Sequence, residues 1–255
     1  MAHPYLTGAT QPKIFAHRGF VPLEARDTFV ENTREAFRAA VAAGAEYVET
    51  DVHLTQDGVV VCFHDADLVR VAGDPRPVAS LTRAELAAVM TDKGGLVTLE
   101  DALAEFPGTR FNIDVKAVAA AEQTGWIVAG AADRVLLTSF SDRARTRALA
   151  AARERGALPA TSLGKRGIMT LLAALATRSE WAIDRALARV DALQIPLKSG
   201  LVPVLTERLV RHAHRNGVEV HVWTVNNPLD MRVLMKFGVD GVVTDRTDLA
   251  VAELR

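Results

Sequence analysis

The sequence holds a single cysteine, Cys62, which excludes an internal disulfide framework and every multi-cysteine metal site. It has no basic excess either. Lys and Arg total 30 against 31 Asp and Glu, a net charge of −1, so the usual footprint of a nucleic-acid binder is missing. Long apolar runs are absent. The longest mainly apolar stretch, Ile168–Ala176, is far short of the roughly 20 residues of a membrane span, so stable membrane insertion is not expected. Residues Met1 to Lys13 lack the apolar h-region of a signal peptide, which predicts a cytoplasmic location. No low-complexity segment, charge block or Gly/Ser linker divides the chain, so one domain over residues 1–255 is expected. What is present is 49% hydrophobic residues in 255 positions, ample for one large core. An α/β barrel commonly uses about 250 residues.

Short apolar runs alternate with helical patterns throughout, which argues for βα units and a parallel sheet. The strand candidates are Lys13–His17, Tyr47–Asp51, Phe111–Lys116, Val135–Ser139, Leu158–Leu163, Ala192–Ile195, Glu219–Val225 and Gly241–Thr244. A further run, Val59–His64, follows the second strand after a short stretch containing Asp57-Gly58, a strong hairpin signal. No crossover helix fits there, so this run must return antiparallel. Eight strands remain. They predict a (β/α)8 TIM barrel with a β-hairpin and a small insertion after the second barrel strand, over about 52–110. The helices carry punctuation: Asn32 is expected to cap the helix that Gly44 ends, and Thr82 with Glu85 forms a capping box. Asn227-Pro228 opens a helix that Gly238 closes. Ile168–Ala176 reads as a buried helix over the barrel, or alternatively as a lid.

Strand periodicity makes Glu49, Asp51 and His53 face one way, and Asp114 and Lys116 repeat the i, i+2 pattern on the next barrel strand. Inward carboxylates are costly to bury unless a cation offsets them. Barrel active sites lie at the C-terminal strand ends. Three carboxylates there suit one hard divalent cation, Mg²⁺ or Ca²⁺. His17 ends the first strand, and the hairpin returns His64 and Asp65 to the rim. Each piece alone has an ordinary reading: a turn for His17-Arg18-Gly19, a solvated strand face for Glu49-x-Asp51, a surface ion pair for Asp114-x-Lys116. Their joint placement at strand ends is what counts. Elsewhere His212 and His214 read as solvent-facing, His221 as a barrel-layer residue, Asp245 as a helix cap and Cys62 as inert.

The motifs resemble the glycerophosphodiester phosphodiesterase family. The resemblance runs through His17-Arg18-Gly19, Glu31-Asn32-Thr33, Glu49-x-Asp51, Asp57-Gly58, Phe63-His64-Asp65, Leu68-x-Arg70, Asn112-Ile113-Asp114-x-Lys116, Trp223-Thr224-Val225-Asn226 and Thr244-Asp245. It covers residues 13 to about 250, with only general likeness over roughly 145 to 215. It implies a Mg²⁺- or Ca²⁺-dependent enzyme that cleaves small phosphodiesters to glycerol phosphate and an alcohol. By the same resemblance His17 and His64 are the acid/base pair, and Glu49, Asp51 and Asp114 hold the metal. Arg18 and Lys116 contact phosphate oxygens, and Trp223 lines the glycerol pocket.

The chain departs from the family pattern in places. Position 114 is Asp where the family usually has Glu; the related sphingomyelinase D group also uses Asp there. His53 replaces a frequent Arg and is expected on a solvated hairpin face, and Val71–Pro75 replaces a segment commonly rich in Thr and Gly. The alternatives are a lipid-headgroup phosphodiesterase of lysophospholipase D or sphingomyelinase D type, and a non-catalytic barrel that binds phosphorylated ligands.

Overall fold

The strands are short apolar runs buried on both faces, the composition that lets a parallel sheet close inside a ring of helices. The computed structural model describes residues 2–200 and 202–255. Its eight barrel strands are β1 (Lys13–His17), β2 (Tyr47–Leu54), β3 (Arg110–Val115), β4 (Val135–Thr138), β5 (Ala160–Thr161), β6 (Ala192–Ile195), β7 (Glu219–Val222) and β8 (Gly241–Thr244). They pair in parallel in the order β5-β4-β3-β2-β1-β8-β7-β6. A single parallel bridge, Ser162 to Ala192, joins the two end strands. β5 is shorter than the run Leu158–Leu163, and it starts only after Pro159, which has no N–H to give a ladder. The strand Val60–Cys62 returns antiparallel on Val52–Leu54, as the Asp57-Gly58 turn predicts.

Register sets the inner face. Phe15 pairs with Tyr47 and His17 with Glu49 across β1 and β2. Glu49 pairs with Asn112 and Asp51 with Asp114 across β2 and β3. The aromatic pair Phe15–Tyr47 fills the barrel interior with ring centroids 4.7 Å apart, and the polar residues sit one step nearer the C-terminal mouth. Below them Lys13, fully buried, places its Nζ 2.7 Å from Glu219, whose other oxygen lies 2.9 Å from the buried His221. The turn Pro4–Leu6 packs against this floor, where Tyr47 donates its hydroxyl to the Tyr5 carbonyl at 2.8 Å.

The insertion carries its own apolar cluster of Val61, Phe63, Leu68, Val78, Leu81, Leu86 and Met90. It is docked by backbone bonds, including Phe63 N–H to the Asp51 carbonyl at 2.9 Å. The Thr82–Glu85 capping box is present, and Asn227 caps Pro228–Lys236. Two expected caps are not. Thr33, not Asn32, caps the helix Arg34–Ala42, and Asp245 caps nothing. The Asn32 and Asp245 side chains bond Asp51 and His17 instead. His212 is buried rather than solvent-facing, with Nδ1 3.6 Å from Glu180.

Candidate active site

The turn after β1 is the first element of the site. Arg18 and Gly19 have φ of 58° and 83°, and a Cβ on Gly19 would lie 2.8 Å from the backbone of Ala36. Only glycine fits there. The turn aims the Arg18 N–H at Glu49 Oε2, 3.0 Å away, and brings Arg18 Nε to 3.1 Å from Asp51 Oδ2. Asn32, also at positive φ, donates from Nδ2 to Asp51 Oδ2 at 3.0 Å and accepts from Thr50. A buried carboxylate needs such donors, which is why Asn32 turns inward instead of capping a helix.

One cavity of about 520 Å³ opens at the C-terminal strand ends. Its lining includes all eight residues picked out in the sequence: His17, Arg18, Glu49, Asp51, His64, Asp114, Lys116 and Trp223. Glu49, Asp51 and Asp114 are 7%, 1% and 5% exposed. Lys116 Nζ lies 2.8 Å from Asp51 Oδ1 and 2.6 Å from Asp114 Oδ2.

The carboxylates respond differently to burial. Burial and the charge of Asp51 push Glu49 up to about 8. Burial also raises Asp114. At Asp51 burial is outweighed by Lys116 and Arg18, which hold it below the usual carboxylate range. Three carboxylates thus face two side-chain cations: Asp51 meets both, Asp114 meets Lys116 but stays raised because burial outweighs that charge, and Glu49 forms an ion pair with neither.

That imbalance bears on a metal. Among the described residues no three His, Cys, Asp or Glu side chains make a ready-made metal group as placed. The Lys116 ammonium sits between Asp51 and Asp114 instead. The donor set nonetheless fits a hard cation. Asp114 Oδ1 is buried with no hydrogen-bond partner, and Glu49 is raised by burial and then by the charge of Asp51.

Each histidine is held by a carboxylate through Nδ1. His17 Nδ1 lies 2.6 Å from Asp245 Oδ1, and His64 Nδ1 lies 2.7 Å from Asp65 Oδ1. Asp245 is fixed by Asn226, which donates to its Oδ2 at 2.8 Å. Burial alone would lower the His17 pKa, but the Asp245 bond and the Glu49 charge prevail and raise it. His53 is half-buried rather than on a solvated face, with Nε2 3.1 Å from the His64 carbonyl oxygen. Cys62 is buried, with its thiol pushed up to about 12 by burial. It is no nucleophile.

Opposite the charged wall, Leu163, Ile168, Met169, Leu172, Ile195 and Val204 make an apolar one. The run Ile168–Ala176 belongs to the helix Lys165–Thr177, which buries Leu171, Ala174 and Leu175 and turns Ile168, Met169 and Leu172 to the cavity. Phe140 stands exposed beside it, edge-on to Trp223 at 5.8 Å, with Lys116 Nζ 5.5 Å from its ring.

Comparison with known proteins gives the family and the fold. The model of the glycerophosphoryl diester phosphodiesterase family matches residues 17–249. The chain belongs to that family. It is 38% identical over 237 residues to the probable glycerophosphodiester phosphodiesterase 2 of Mycobacterium tuberculosis, covering 92% of this chain and 87% of that protein. The glycerophosphodiester phosphodiesterase of Thermotoga maritima superposes with a TM-score of 0.73 at 26% identity, covering 96% and 99% of the two chains. An Oleispira antarctica phosphodiesterase, solved with its product sn-glycerol-3-phosphate, has the same fold at 21% identity and a TM-score of 0.72, with 95% and 96% covered.

The sequence reading gave Phe140 no role, took Asp245 for a helix cap and placed Asp65 at the rim without a partner, whereas Asp245 and Asp65 hold His17 and His64 and Phe140 lines the cavity. Asp245 follows directly after the last barrel strand and Phe140 follows closely after the fourth. The strand-end rule that selected Glu49 and Asp51 also reaches them.

Proposed function

We propose that the protein hydrolyses glycerophosphodiesters to glycerol phosphate and an alcohol, with His17 and His64 as the acid/base pair. The observation that carries this reading is that both histidines lining one cavity are bonded through Nδ1 to a carboxylate. They leave Nε2 of each imidazole as the nitrogen available for proton transfer.

The chemistry needs a nucleophile, a protonated leaving group and neutralised phosphate charge. The substrate's own 2-hydroxyl lies next to the phosphate, so attack on phosphorus is intramolecular and favoured by proximity. One histidine takes the hydroxyl proton as the new P–O bond forms. The other donates a proton to the departing alcohol oxygen as the old bond breaks. Water then opens the cyclic phosphate with the two roles exchanged. Arg18 and Lys116 supply fixed positive charge to the phosphate oxygens. Trp223 packs against the glycerol moiety. Glu49, Asp51 and Asp114 would hold one Mg²⁺ or Ca²⁺, which when bound neutralises phosphate charge and acidifies a hydroxyl group.

A second reading is favoured by the apolar wall: a lysophospholipid or related lipid in place of the deacylated diester. Phosphorus-31 NMR of products from glycerophosphocholine, glycerophosphoethanolamine and lysophosphatidylcholine, with added Mg²⁺ or Ca²⁺, tests both. Glycerol 3-phosphate from the first two supports the main reading. Turnover of the lysolipid alone replaces it with the second, and turnover of none leaves only a ligand-binding barrel.

A further inference from the structure

Arg70 lies in neither wall of the cavity, yet two parts of the site meet on it. It belongs to a single helical turn, Val69–Ala72, inside the insertion, and its side chain is half exposed. Its Nε donates to Asp65 Oδ2 at 2.7 Å, and the other oxygen of that carboxylate holds His64. Its Nη2 donates to Glu31 Oε1 at 2.7 Å. The same Glu31 oxygen accepts from Arg18 Nη1, also at 2.7 Å. The path His64–Asp65–Arg70–Glu31–Arg18 therefore runs without a gap from the insertion to the turn after β1.

We propose that Arg70 is a positioning residue for both His64 and Arg18, locking the acid/base group of the insertion in register with the phosphate-directed group of the barrel. This rests on the roles given to those two residues above. The physical need is plain. The insertion is built around an apolar cluster of its own, and apolar packing is not directional. Proton transfer needs the imidazole within hydrogen-bond reach of its target. A planar guanidinium with two separated donor edges can orient two carboxylates at once. Asp65 accordingly sits below the usual carboxylate range: burial opposes this, but its bonds to His64 and Arg70 outweigh burial. The Asp65 carboxylate so held fixes the His64 ring through Nδ1.

The test compares wild type, Arg70→Met and Arg70→Lys by turnover and by the ring ¹⁵N signals of His64. For Arg70→Met we expect kcat to fall by about tenfold or more, the range for residues that orient a site group. The His64 ring signals should broaden or shift, with the melting temperature near that of wild type. Lysine should restore only part of the loss, because one ammonium replaces a fork. In an Asp65→Asn background the Arg70→Met change should cost less, since the branch to His64 is already cut and only the branch through Glu31 to Arg18 remains. Unmoved His64 signals with turnover within twofold of wild type would overturn the proposal. So would full additivity with Asp65→Asn, or a lowered melting temperature as the sole effect. If wild type cleaves no diester, the functional reading fails, and the His64 signals still decide the role of Arg70.

Discussion

His17 and Asp245 stand 228 positions apart in the chain, and His17 Nδ1 lies 2.6 Å from Asp245 Oδ1. Parallel pairing of the first and last barrel strands, Ala16 with Thr244, brings them together. The bond selects the tautomer with the proton on Nδ1 and raises the affinity of the imidazole for a second proton.

Asp245→Asn should therefore lower kcat at least about tenfold, since the amide loses the charge and can present a donor to Nδ1. The His17 pKa should move down, because a group that raises it has been removed. A ring NMR titration, or the matching limb of the pH–rate profile, should show that shift. An unmoved pKa would reduce Asp245 to a packing role.

The two histidines make a stronger demand. His17→Ala and His64→Ala should each cut kcat by about 10²–10⁴ while circular dichroism stays that of wild type. Near-normal turnover in either variant would remove that residue from proton transfer.

Metal dependence is checked by chelation and by Asp114→Asn. Excess EDTA should abolish turnover, and Mg²⁺ or Ca²⁺ should restore it. Asp114 has a buried oxygen without a partner, so replacing that oxygen's charge should raise the metal concentration needed for half-maximal activity. An unchanged value would leave Glu49 and Asp51 as the protein anchors.

The barrel floor gives a prediction in stability. Burial would raise the Glu219 pKa, but its bonds to His221 and Lys13 hold it below the usual range. A carboxylate with a depressed folded pKa stabilises fully above its unfolded pKa of about 4.3, and loses that contribution as the pH falls through the folded value. The melting temperature of Glu219→Gln should lie several degrees below wild type at pH 7, where Lys13 is left buried without its partner. The gap should narrow between pH 4 and pH 3 (roughly the span below the unfolded pKa). A gap constant over that range would mean that Glu219 contributes by packing.

Much of the site was legible because its signals are local. Two-residue periodicity places Glu49 and Asp51 on one face, and the observed register pairs them with Asn112 and Asp114. The Asp57-Gly58 turn forces the hairpin that returns His64. Helix caps were less secure. Asn32 and Asp245 have the right chemistry and position for capping, but the buried carboxylate of Asp51 and the half-buried imidazole of His17 compete for the same side chains and win.

The sequence by itself determined the barrel, the hairpin and the strand-end placement of His17, Glu49, Asp51, His64, Asp114 and Lys116, because strand period, turn chemistry and strand-end position depend on neighbours a few residues apart. Arg18 and Trp223 were picked out by the family resemblance. Only the tertiary structure decided which charge answers which. Lys116 lies between Asp51 and Asp114, Asp245 reaches His17 across the barrel seam, and Arg70 ties the insertion to Glu31. Such pairings depend on chain closure over tens to hundreds of residues and on burial, which makes unpaired charge costly and so selects its partners.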